Sequence, residues 1–315
     1  MAGSPRQPAA PARAVTFTGH ADLPLIGDRW GHDDDPPVVL LHGGGQTRHA
    51  WGNTATALAD DGWCAIALDL RGHGDSAWAP DGDYSVGTLA EDLRAVVQTI
   101  GRPPVVVGAS LGGLTALVAE GETPGRFAAA LVLVDVAPRV ERAGVERIVS
   151  FMTGRPDGFA SLEEAADAVA AYTPHRPRPR DLSGLQKNLR RGADGRWRWH
   201  WDPRMMQGRG RPNATSDPER LEACARRIDV PTLLVRGGSS DLLSEDGARA
   251  FLALVPHARY ADVTGAGHMV AGDRNDVFTD AVVDFLERHH RSADQSALDG
   301  SGGAGGVQDE SNGPV

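Results

Sequence analysis

The sequence predicts an α/β fold: a mostly parallel, twisted sheet flanked by helices, interrupted by an inserted helical segment. Three observations carry this expectation. Short, continuous apolar runs recur at 38–41, 64–68, 105–107, 131–134 and 232–235, as strands buried on both faces require. Stretches with apolar residues at helical spacing separate them, for example Leu89, Leu93, Val96, Val97 and Ile100, which is the alternation of βαβ units. The runs lead into Gly43–Gly45, Asp69, Ser110 and Asp135, so polar residues gather at the carboxyl ends of the strands, where open α/β sheets bind ligands.

Taken in order, residues 1–14 read as a disordered lead rich in Pro and Ala, without the apolar core of a signal peptide. Partly alternating segments at 15–18 and 23–30 predict an antiparallel edge pair. The run at 38–41 enters His42-Gly43-Gly44-Gly45, where successive glycines let backbone N–H groups approach a ligand. A helix is expected over 49–59, a strand over 64–68 leading into Asp69-Leu70-Arg71-Gly72-His73-Gly74-Asp75-Ser76, and a helix over 84–100. Next come Val105-Val106-Val107-Gly108-Ala109-Ser110-Leu111-Gly112-Gly113 and an apolar stretch, 114–119: strand, sharp turn, helix. Such a turn holds a serine in a strained conformation with its hydroxyl projecting. It also puts the next amide, that of Leu111, at a helix N-terminus suited to an oxyanion.

After Val136 the alternation stops. Residues 138–215 hold helical stretches at 145–152 and 162–172, a proline-arginine segment and Trp197-Arg198-Trp199-His200-Trp201, and read as a helical cap. Its tryptophans and methionines suit either a substrate pocket or packing onto the core. Its many arginines read as a solvated face rather than an anion trap. The core, 15–137, resumes over 216–291: a strand at 232–235, a helix capped by Ser244, a strand at 259–263, the loop to His268, and an amphipathic helix over 278–288. The Gly-, Ser- and Asp-rich tail, 292–315, is expected to stay disordered.

A net charge of -10 argues against nucleic-acid binding. No 18-residue apolar run suggests a membrane span. Cys64 and Cys224 lie far apart and suit a reducing compartment, so a cytoplasmic protein is expected. His20, His32, His49 and His73 show no metal-ligand spacing, and no phosphate-binding glycine motif occurs, so no metal or cofactor is expected.

Ser110, Asp241 and His268 follow three strands in that order. A serine nucleophile needs a neutral imidazole to take its proton, and the imidazole needs a carboxylate to fix its tautomer. These residues, with His42-Gly43-Gly44-Gly45, the 69–76 motif, 108–113 and Gly267-His268, resemble the α/β-hydrolase superfamily over roughly residues 15–291. The resemblance implies Ser110 as nucleophile, His268 as base and Asp241 as acid. It also implies an oxyanion hole from the amides of Gly44 and Leu111. Asp135 is the alternative acid, because some members place it after the sixth strand. His42 reads as a structural histidine anchoring its loop, and Arg71, His73 and Asp75 as residues holding a turn. The expected activity is hydrolysis of small-molecule carboxylic esters through an acyl-enzyme, by a monomer or small homo-oligomer. C–C bond hydrolysis or cofactor-free perhydrolysis by the same triad is the alternative, and a small-molecule receptor on this scaffold a further one.

Overall fold

The computed structural model describes residues 12–174, 176, 178, 180–207, 217–268, 270 and 275–300. Eight strands form one sheet: β1 (Arg13–Thr18), β2 (Pro24–Trp30), β3 (Pro37–Leu41), β4 (Cys64–Leu68), β5 (Val105–Ala109), β6 (Ala130–Val134) and two more after the inserted segment. Their order in space is β1-β2-β4-β3-β5-β6-β9-β10, where β9 is Thr232–Gly237 and β10 is Arg259–Val263. Only β1 and β2 run antiparallel to their neighbours, as the edge pair predicted. The first strand starts at Arg13, inside the lead expected to be disordered, because Arg13 and Ala14 pair with Arg29 and Asp28.

The continuous apolar runs serve two cores at once. Val39, Leu41, Ile66, Leu68, Val106, Leu131, Leu133 and Leu234 face α2 (Val86–Ile100), α3 (Leu111–Glu122) and α8 (Glu245–Leu254). Their neighbours Val38, Leu40, Ala65, Ala67, Val105, Val107, Val132 and Val235 face α1 (Gly52–Asp60) and the last helix, α9 (Asn275–Gly300). Each fully buried Val or Leu contributes about 1.5–3 kcal/mol, so both faces stabilise the same strands. The helices start where their caps sit: Ser85 accepts from Thr88 N, and Ser244 from Gly247 N.

Among its described residues the inserted segment adds no strand to this sheet. It contains α4 (Arg142–Thr153), α5 (Leu162–Tyr172), α6 (Ser183–Gln186) and a hairpin, β7 (Leu189–Arg191) with β8 (Trp197–Trp199). The hairpin stands beside the helices in the segment read from sequence as a helical cap. Phe159, Ala165 and Leu189 form a small core within the segment. Met152, Trp201 and Met205 are buried in the main core instead, so these residues pack the segment down. After it, α7 (Pro218–Ala225) leads into β9.

The last helix continues through Gly300, past residue 292 where disorder was expected. Once a helix is nucleated by packed residues such as Phe278 and Phe285, adding each further residue costs little. Residues 1–11, 208–216 and 301–315 lie outside the described residues. Among the described residues no helix is long and apolar enough to cross a membrane.

Candidate active site

Ser110 stands between the end of β5 and the first residue of α3 with φ 49° and ψ -114°, a conformation that non-glycine residues rarely adopt. The strain is imposed by close packing on either side. A Cβ at Gly108 would lie 2.5 Å from Gly112 C and O, and one at Gly112 would lie 2.5 Å from Leu41 O. Strand and helix therefore approach to a distance that only these glycines permit, and the turn between them is forced tight. The Ser110 hydroxyl makes no hydrogen bond to another described residue.

One strand over, Asp135 repeats the geometry. It follows β6 with φ 51°, and its side chain is fully buried. The Ser110 amide donates to Val134 O at 3.1 Å, and the Asp135 amide donates to Val235 O at 2.7 Å. Both residues thus extend the parallel ladder before turning away from it. Asp135 Oδ1 accepts from Gly237 N at 2.9 Å, and its Oδ2 lies 2.7 Å from His268 Nδ1. His268 is brought there by its loop, which is tied to the loop after β9 through Ser239 N donating to Ala266 O at 2.8 Å.

This corrects the sequence expectation for the acid. Asp241 does not meet His268; its carboxylate accepts from Arg147 Nη1 at 2.6 Å and is about half exposed. Arg147 belongs to α4, and it also donates to Tyr172 O and lies over the Tyr172 ring. Both aspartates follow strands, but the left-handed turn at 135 aims that carboxylate into the sheet end, whereas Asp241 is drawn outward by a cation.

The glycine loop lies against the serine. A Cβ at Gly43 would be 3.3 Å from Ser110 Cβ, and one at Gly44 would be 3.9 Å from Leu111 Cδ2. The neighbouring amides are occupied: Gly43 N donates to Gln46 Oε1 at 3.0 Å, and Gly45 N to His73 Nε2 at 3.1 Å. Among the described residues the amides of Gly44 and Leu111 have no acceptor. The two donors expected from sequence are therefore adjacent and free.

Three neutral histidines support this loop. His42 Nε2 accepts from Leu70 N at 3.0 Å, so its Nδ1 donates to Gly43 O at 2.8 Å. His73 uses Nε2 to accept from Gly45, and His200 Nδ1 accepts from Gly74 N at 2.6 Å. Burial pushes His42 and His200 down to about 3, and His73 well below its ordinary value. His42 is the structural residue expected, whereas His200 carried no signal in the sequence.

The 69–76 motif holds its turn as expected. Arg71 donates twice to Asp92, at 2.6 Å each, with both side chains buried. Arg48 gathers Asp28, Asp69 and Asp75. Burial opposes its charge, but those carboxylates outweigh burial and raise its pKa. The inserted segment is fastened to this turn: Asp202 N donates to Gly72 O at 2.9 Å, and Tyr84 Oη donates to Asp202 Oδ2 at 2.5 Å. Trp201 Cζ3 and Met152 Cε would both lie 3.2 Å from a Cβ at Gly45, so the segment covers the loop. Among the described residues no three His, Cys, Asp or Glu side chains are grouped to hold a metal ion.

Known proteins resemble the chain in both sequence and shape. An esterase of Mycobacterium tuberculosis, Rv0045c, is 34% identical over 254 residues, 78% of this chain and 80% of its own. The 3-hydroxybutyrate-oligomer hydrolase of Cupriavidus necator is 30% identical over 255 residues, 76% of this chain and 85% of its own. A solved structure of the M. tuberculosis esterase superposes with a TM-score of 0.69 at 31% identity, covering 88% of this chain and 92% of that one. The sequence profile of the family described as alpha/beta hydrolase fold matches residues 36–274, and the chain belongs to that family.

Proposed function

We propose that the chain hydrolyses carboxylic esters of small molecules through an acyl intermediate on Ser110. The observation that carries this reading is the buried Asp135 carboxylate on His268 Nδ1, one strand from a serine in a left-handed turn. With Nδ1 so engaged, His268 Nε2 is the nitrogen free to accept the serine proton. Ser110 Oγ attacks the ester carbonyl, and the oxyanion takes the two free amides of Gly44 and Leu111. Imidazolium then returns its proton to the leaving alcohol. Water, deprotonated by His268, attacks the acyl-enzyme, and the proton passes back to Ser110 Oγ as the acid leaves. Asp135 holds the ring and stabilises its charged form. Esterase relatives at 30% identity and above support an ester as substrate.

The test is intact mass after treatment with a serine-reactive fluorophosphonate, with peptide mapping, alongside hydrolysis of p-nitrophenyl esters. One adduct on Ser110, and loss of ester turnover in Ser110→Ala and His268→Ala, is the expected result. Full turnover in either variant would overturn the mechanism.

A further inference from the structure

The loop after β9 contains a hydroxyl whose polarity is fixed. Ser240 Oγ lies 2.5 Å from Asp135 Oδ2, 3.1 Å from Leu242 N and 3.2 Å from Leu243 N. A serine hydroxyl has one proton and two lone pairs. The two amides can only donate, so they occupy the lone pairs. The single proton must then point at Asp135. Asp135 Oδ2 accordingly receives two donors, Ser240 and His268 Nδ1, while Oδ1 receives Gly237 N. Among the described residues, Arg147 on α4 is engaged with Asp241, and Arg236 on β9 with Asp262 and Leu243 O.

We infer that Ser240 is a positioning residue for the catalytic acid. It locks the Asp135 carboxylate in the rotamer that meets His268, and it draws off part of the carboxylate's charge. The inference rests on the triad reading above. The loop that holds Ser240 is itself held. Glu141 N donates to Leu242 O at 2.8 Å, and a Cβ at Gly144 would lie 3.0 Å from Leu242 Cα, so the start of α4 braces the donor amides.

Removing the hydroxyl has two consequences that a merely structural side chain would not produce together. The carboxylate gains freedom to rotate, which lowers kcat with little effect on KM. It also keeps more of its charge, which favours the imidazolium and moves the acid limb of the kcat/KM profile to higher pH. For Ser240→Ala the expected result is about a tenfold fall in kcat, the scale of one lost hydrogen bond. The acid limb should rise by roughly half a unit to one unit. Ser240→Thr, which keeps the hydroxyl, should restore both. Should Ser240→Ala fail to fold, Ser240→Cys, a weak donor of similar size, is read the same way and should shift the limb in the same direction. Asp135→Asn is measured in parallel. If it is inactive while Ser240→Ala keeps both kcat and the limb of the parent, the positioning role is overturned and the triad stands. If Asp135→Asn keeps its activity, the triad reading falls and the role of Ser240 with it.

Discussion

Arg147 Nη1 and Asp241 Oδ2 meet at 2.6 Å across the seam between the inserted segment and the sheet, with both side chains close to half exposed. Screened by water, an ion pair of this kind contributes about 0–1 kcal/mol. Asp241→Asn should therefore keep ester turnover within about threefold of the parent. Asp135→Asn should lose it by roughly 10⁴, as when a triad histidine is left in the wrong tautomer. Steady-state rates on one p-nitrophenyl ester decide between the two aspartates.

The Arg71–Asp92 pair is buried and bidentate, a different case. Truncating one partner leaves an uncompensated charge, so Arg71→Met should cost about 3–5 kcal/mol in urea unfolding. Arg71→Met with Asp92→Leu should recover much of that loss, since a buried pair can be replaced by apolar packing. A double variant no better than the single one would show that the arginine is needed for more than its partner's charge.

Acid should unfold the protein through its neutral histidines. His42, His73 and His200 have folded-state pKa values below the ordinary 6.5, so below that pH the unfolded chain binds protons that the folded chain does not. Their contribution to stability is fully present above about pH 6.5 and falls as pH drops, by up to about 1.4 kcal/mol per pH unit for each group. Thermal melts from pH 7 to pH 4 should show this slope. His200→Asn, which still offers an acceptor to Gly74 N without titrating, should make it shallower.

Glu120 acts in the opposite sense. It is buried on α3, and burial raises its carboxyl to about 7 against the Ala128 N–H that favours its charge. A raised folded-state pKa means stability that is complete below about 4.5 and lost as pH rises through about 7. Glu120→Gln should therefore raise Tm at pH 8 and leave it nearly unchanged at pH 4. An equal shift at both pH values would point to packing instead.

The strands were legible because a sheet covered on both faces writes itself as unbroken apolar runs. The run at 64–68 coincides with β4 and is buried throughout. The turn that holds Ser110 was legible because Gly108 and Gly112 are demanded by close packing. The hairpin was not, since strands of three residues such as Leu189–Arg191 are too short to show a period. Which aspartate meets His268 was not legible either. Asp135 and Asp241 both follow apolar strands, and the difference lies in one backbone torsion at 135 and in an arginine 94 residues before Asp241 in the chain. Ser240 and His200 gave no pattern, because each acts through a partner far away in sequence.

In the mechanism proposed above, the placement of Asp135 after β6 also decides how the site is shared along the chain. Gly44, Ser110, Leu111 and Asp135 all precede the inserted segment, and His268 follows it. A break in the loop just before α4 would divide the polypeptide into one fragment with Ser110, Asp135 and the Gly44 and Leu111 amides, and another with His268. On that mechanism neither half would turn over an ester alone. Hydrolysis would return only when β9 zipped onto β6, so the recovered rate would count reassembled molecules, and fusing candidate binding partners to the two halves would make the enzyme a complementation reporter.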